Sequence, residues 1–232
     1  MRLDRYLCEL NMGSRSQVKE SIKKGLVSVN GQIIRSADHK IEEQQDRVAF
    51  QGKMLTYQRY VYYMLNKPKG VVCATRDNTA GTVVELLAAE GRKDLFPVGR
   101  LDKDTEGLLI LTNDGELAHR LLSPKKHVDK TYQVNVDHAL SGEDIRQLEQ
   151  GVDIGEERPT LPARVDILSE HIIRLTIQEG KYHQVKRMLQ AVGNQVTALK
   201  RIRFGKIGLD EGLAPGDYRP LTIQEEKVLH ES

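Results

Sequence analysis

The chain has little that could hold a metal or cross a membrane. Its two cysteines, Cys8 and Cys73, lie far apart and match no metal-ligand spacing, so each reads as a small buried hydrophobe. Seven histidines are scattered without a His-x-x-x-His pair, and no metal site is expected. No apolar run approaches the roughly 20 residues of a membrane span. The opening Met-Arg-Leu-Asp-Arg-Tyr lacks the apolar stretch of a secretory signal. The expected location is therefore cytoplasmic, with no membrane partner. No heptad or exposed apolar stripe calls for a second copy, so a monomer is expected.

Charge of either sign is in small surplus, +2 overall, but it is unevenly spread. Residues 1–60 hold eleven Lys/Arg against seven Asp/Glu, and residues 61–232 hold 24 against 26. That asymmetry suggests a small polyanion-binding appendage on a larger domain with another task. At 232 residues and 39% apolar content, the chain can build both.

The basic part reads as two helices and a hairpin. The first helix spans 3–10. The second spans 14–24, opened by Ser14 with Gln17 in a capping box and closed by Gly25. Arg15, Lys19 and Lys23 share one face of it, while Val18 and Ile22 form a separate stripe. Asn30-Gly31 between two apolar runs is a strong hairpin signal. A strand follows at 46–50, and residues 51–60 read as a linker. The boundary falls between residues 58 and 59.

Beyond it, strands are expected at 60–66, 71–75, 108–111, 130–136, 163–168, 171–178, 196–203 and 206–209. Helices are expected at 82–89, 114–122, 141–150 and 182–192. Without regular βαβ alternation, this is an α+β domain with a largely antiparallel sheet. Its densest feature is the run from Gly99 to Thr112. A polar loop, Gly-Arg-Leu-Asp-Lys-Asp-Thr-Glu-Gly, meets the apolar strand Leu-Leu-Ile-Leu. A carboxylate at the mouth of such a strand is held stiffly, which suits a nucleophile or base. A turn whose charges pair among themselves is the plainer reading.

The order of residues in this loop, Gly-Arg-Leu-Asp-x-x-Thr-x-Gly-Leu, resembles the catalytic motif of the RsuA-type pseudouridine synthases. Leu65 to Gly70, Lys130-Thr131-Tyr132, Glu179 to Met188 and the segments 199–205 and 213–221 are similar to the same family. Residues 2–7, 14–16 and 22–31 resemble the S4 RNA-binding domain. Together the segments cover nearly the whole chain, and several motifs in order are more specific than one.

The resemblance implies an S4-like domain at 1–58 and a pseudouridine synthase domain at 59–232. It implies detachment of a uridine from its ribose at N1 and rejoining through C5, without cofactor or metal. It assigns the catalytic carboxylate to Asp102 rather than Asp104, which is expected to be structural or to face RNA. Tyr132 either stacks on the flipped uracil with its hydroxyl near the sugar or simply packs in the sheet. Lys186 falls where the family carries a basic residue, often Arg, against the carboxylate. The alternative for it is a surface lysine. Arg100 is a wedge for the gap left by a flipped base, a phosphate contact or half of an internal ion pair. Arg2, Arg5, Arg15, Lys19, Lys23, Lys67 and Lys69 are expected RNA contacts, as are Lys125 and Lys126.

The form Tyr182-His183-Gln184-Val185-Lys186-Arg187-Met188 and the short C-terminus point to small-subunit (16S) ribosomal RNA, in an assembling particle. The alternatives are a large-subunit rRNA enzyme of the same family, a non-catalytic S4-type assembly factor, and a hydrolase using Asp102, Asp104 and His119. The last lacks a recognisable nucleophile–base pair.

Overall fold

The computed structural model describes residues 1–43 and 45–232. The chain packs as two units: Met1–Tyr60 with Ala88–Lys93, and Val61–Leu87 with Asp94–Ser232. The expected boundary at 58/59 thus becomes 60/61, and a short stretch near residue 90 joins the first unit.

In the first unit, α1 (Leu3–Glu9) and α2 (Arg15–Lys23) pack on a four-stranded antiparallel sheet. Its strands are β1 (Val27–Val29), β2 (Gln32–Ile33), β3 (Val48–Phe50) and β4 (Lys53–Met54), in the order β2-β1-β3-β4. The Ser14–Gln17 capping box opens α2 as expected. Asn30 and Gly31 both adopt positive φ (51° and 82°) and turn β1 into β2. Val18 and Ile22 are fully buried with Leu3, Tyr6 and Leu7, while Arg15, Lys19 and Lys23 are exposed. The expected linker at 51–60 is in part structured. Gln51 and Gly52 have positive φ, so 50–53 form a second tight hairpin and β4 pairs with β3.

The second unit is built on one nine-stranded sheet. Its strands are β5 (Tyr62–Lys67), β6 (Phe96–Pro97), β7 (Glu106–Thr112), β8 (Lys130–Val136), β9 (Arg164–Ser169), β10 (Ile172–Ile177), β11 (Val196–Phe204), β12 (Ile207–Gly208) and β13 (Tyr218–Pro220). The main order is β13-β5-β7-β11-β8-β10-β9, with β6 beside β7 and β12 beside β11. Among the described residues only β7 and β11 run parallel. The helices are α3 (Gly115–Leu122), α4 (Gly142–Gln150), α5 (Gln184–Ala191) and α6 (Ile223–His230).

Both faces of the sheet are covered, which explains why β5 and β7 are apolar throughout rather than alternating. Leu65, Leu109 and Leu111 join a core that includes Leu148 of α4 and Val185, Met188 and Leu189 of α5. Met64, Leu108 and Ile110 join a second core with Leu117 and Leu121 of α3 and Leu229 of α6. Two local expectations are corrected. Residues 71–75 form no strand, only an isolated bridge from Val72 to Thr82. The helix expected at 82–89 is a 3-10 helix at Glu85–Glu90, kinked at Leu87, and Thr82 and Glu85 cap each other. Strand β13 and helix α6 were not anticipated.

Gly107 sits in β7 between β5 and β11, opposite Lys67 and Arg201. Its φ is +102°, and a Cβ there would lie 2.2 Å from the Arg201 carbonyl oxygen. No other residue fits that approach. Gly107→Ala is expected to lower the unfolding free energy by about 3 kcal/mol. Gly142→Ala, where an added methyl meets nothing within 4 Å, is expected to change it by less than about 1 kcal/mol. Urea denaturation of the two variants checks both.

Candidate active site

The polar loop from Gly99 to Thr105 leads into β7 and is fastened from behind. The Lys67 side chain, at the end of β5, is fully buried. Its ammonium donates to the backbone carbonyls of Thr105 (2.8 Å), Asp102 (3.0 Å) and Pro68 (3.1 Å). Burial pulls its pKa below the usual lysine value. The Leu101 N–H donates to the Cys73 thiol (3.2 Å), and the Gly70 N–H to the Lys103 carbonyl (2.8 Å). Lys67 was expected to touch phosphate. That expectation is corrected, because a side chain with no exposed surface, spent on loop carbonyls, cannot reach RNA.

The loop presents Asp102 to a cleft of about 600 Å³. The carboxylate stands 3.0 Å from the Lys186 ammonium and 3.5 Å from His183 Nε2. Lys186 also donates to Asp104 at 2.7 Å. Burial works against the lysine's charge, but its hydrogen bonds to Asp104 and Asp102 and their charges outweigh it, so its pKa is raised. The hydrogen bond from Lys186 holds the Asp104 carboxyl below its usual value. An ammonium with three donors serves both carboxylates at once. Lys186 is therefore half of a site ion pair and not a free surface lysine.

Helix α5 aims Lys186 because Val185, Met188 and Leu189 anchor its other face. Its first turn is fixed by Gln184, whose amide donates to Glu179 (2.8 Å) and accepts from the Lys181 N–H (2.9 Å). His183 takes the left-handed conformation just before it, with φ 48°.

Tyr132, 7% exposed, lines the same cleft from β8, opposite Arg201 of β11. Arg201 is 2% exposed and also lines the cleft. Its Nε donates to the Leu108 carbonyl (2.8 Å), and no carboxylate pairs with it among the described residues. Lys130 lies nearby. Both cations stand over the Phe204 ring, at 5.7 Å for Lys130 and 5.3 Å for Arg201. Burial, reinforced by the charge of Arg201, pushes the Lys130 pKa down to about 8. His183, Lys130 and Arg201 are the residues to which sequence reasoning gave no role. Each sits inside a motif it quoted, one or two places from a residue it chose or among basic neighbours.

Arg100 is exposed at the cleft and makes no ion pair among the described residues, so the ion-pair alternative for it falls away. Lys69 is exposed, 3.8 Å from Glu106, and Lys125 and Lys126 are exposed. On the first unit, Arg2 and Arg5 are exposed but paired to Asp4 and Glu9 at 2.8 Å each. Among the described residues no cluster of three or more His, Cys, Asp or Glu could hold a metal, and no helix is long and apolar enough to cross a membrane.

The sequence pattern of the RNA pseudouridylate synthase family matches residues 61–191, which carry the whole Asp102–Lys186 arrangement. The chain belongs to that family. The S4 domain pattern matches residues 1–48. A Bacillus subtilis protein described as an uncharacterized RNA pseudouridine synthase is 49% identical, over 100% of this chain and 99% of its own. The ribosomal small subunit pseudouridine synthase A of Escherichia coli K12 is 43% identical over 97% and 98%. A crystal structure of a pseudouridylate synthase matches with a TM-score of 0.69 at 40% identity, covering 99% of each chain. The α+β fold, the S4 domain and the isomerase class expected from the sequence therefore hold for this member of the family.

Lys130 makes a pH-dependent contribution with a defined sign. A lysine whose folded pKa is depressed destabilises fully below that pKa, and the penalty fades as pH rises towards the unfolded value. The melting temperature of wild type minus that of Lys130→Met is expected to rise between about pH 8 and pH 10.5. Thermal melts of both proteins across that range check it.

Proposed function

We propose that this chain isomerises a uridine of small-subunit ribosomal RNA to pseudouridine, with Asp102 as the catalytic carboxylate. The observation that carries the proposal is the Asp102 carboxylate, 3.0 Å from Lys186 on a loop tied by buried Lys67, open to a nucleotide-sized cleft. A fixed cation orients the carboxylate, and a tied loop spares it reorganisation during the reaction.

In this reading the bond between N1 and the ribose breaks and its electron pair leaves with the base. Asp102 meets the electron deficiency at the sugar, by attack or by taking a ribose proton. The guanidinium of Arg201 and the Lys130 amine lie on the cleft wall where they can balance charge on the detached uracil. The base turns and rejoins through C5, and the C5 proton is lost. Tyr132 stacks on the base and its phenol passes a proton. Arg100, unpaired at the cleft, fills the gap left by the flipped nucleotide or holds its phosphate. Arg2, Arg5, Arg15, Lys19, Lys23 and Lys69 supply further backbone contacts.

The small-subunit choice is supported by relatives named ribosomal small subunit pseudouridine synthase A, 42–44% identical over 97% of this chain. The working setting is a cytoplasmic, assembling small subunit met by a monomer. A non-catalytic binder has no need of the Asp102, Tyr132 and Lys186 arrangement.

Tritium release from C5-labelled RNA tests the reading. Wild type should release tritium from small-subunit rRNA and not from large-subunit rRNA. Release only from the latter overturns the substrate. Asp102→Asn should cut the rate at least about a thousandfold while RNA binding persists. Tyr132→Phe should cut it about a hundredfold, and full activity would leave the ring with stacking alone.

A further inference from the structure

We propose that the stacked rings of Tyr182 and His183 form a base-stacking subsite for the nucleotide adjoining the isomerised uridine. This rests on the reading that the cleft takes a uridine of RNA.

Tyr182 is 74% exposed, among the most exposed large side chains of the described residues. Its ring lies on that of His183 with centroids 3.8 Å apart and planes 18° from parallel. That spacing is close to the ~3.4 Å rise between stacked nucleobases. Such a pair resembles the beginning of a base stack with one face of the tyrosine left open.

The pair is held in place. The Lys181 N–H donates to Gln184, and the Lys181 ammonium to the Arg158 and Pro159 carbonyls (2.9 and 3.1 Å). The Arg187 guanidinium donates to the Tyr182 carbonyl (3.1 Å), and is itself held by Glu156 (2.7 Å) and the Ile154 carbonyl. His183 adopts a left-handed backbone that non-glycine residues take only at a cost. A surface tyrosine with no role in packing does not need this scaffolding. A stacking platform does, because fixing it beforehand lowers the cost of ordering it on binding.

Its location selects the occupant. His183 Nε2 is 3.5 Å from the Asp102 carboxylate and lines the cleft, so the open tyrosine face lies within about one nucleotide of the reacting base. Flipping a uridine strips a stacking partner from its neighbour. Tyr182 replaces that partner. Every base has a π-face, so the subsite reads whether the adjoining base is free to unstack more than which base it is.

The chain contains no tryptophan, so Tyr182→Trp installs a single indole on an exposed position that folding does not depend on. With Asp102→Asn added to stop turnover, small-subunit rRNA should quench the indole emission saturably, at the concentrations where filter binding saturates. Tyr182→Ala should raise KM for tritium release about tenfold. Tyr182→Phe and Tyr182→Trp should restore it. Binding without quenching, or an unaltered KM in the alanine variant, overturns the subsite. A wild type that releases no tritium overturns the reaction itself, and quenching still decides whether a base stacks there.

Discussion

The site depends on one buried ammonium. Lys67 is removed from water and surrounded by carbonyl oxygens of the loop that carries Asp102. The arrangement satisfies both sides. The lysine gains partners it must have once desolvated, and carbonyls turned inward by a tight loop gain a donor. Because Lys67 pairs with Gly107 across β5 and β7, the same few residues fix the loop's start, its return and its approach to Arg201. The Asp102 carboxylate is thus placed by backbone geometry at the cleft, where it meets Lys186 and His183.

Charge in the cleft is divided by position. Asp102 and Asp104 share Lys186, with His183 at the second oxygen of Asp102. Lys130 and Arg201 line the same cleft against the Phe204 ring, and among the described residues neither forms an ion pair with a carboxylate. An uncompensated buried cation is costly unless a ligand meets it.

Much of this was legible locally. The capping box at Ser14, the Asn30–Gly31 hairpin, and strand Lys130–Val136 follow from residues within a few positions of one another. The motif order also anticipated the approach of Lys186 to Asp102, across more than eighty residues. What escaped was set by tertiary partners. Lys67, beside a proline in an apparently exposed turn, looked like a phosphate contact because nothing local shows the loop folding over it. Strand β13 has three residues and exists only because β5 pairs with it from a distant part of the chain. His183 was passed over because its value lies in a left-handed turn that brings its ring to Asp102, and periodicity does not report that.

Among the described residues the sheet has one parallel strand pairing, β7 with β11, and it sets the order in which the protein can be completed. As the chain emerges during synthesis, β5, β6 and β7 can pair at once, β6 taking the Leu111–Thr112 end of the second edge of β7 and leaving its Glu106–Gly107 end bare. The strand that covers it is among the last to appear, after α5. Until then the Glu106–Gly107 end of that edge has no strand partner. The late strand brings Arg201 into the cleft, and α5, made shortly before it, brings Lys186. Closing that edge and completing the cleft around Asp102 are therefore one late event.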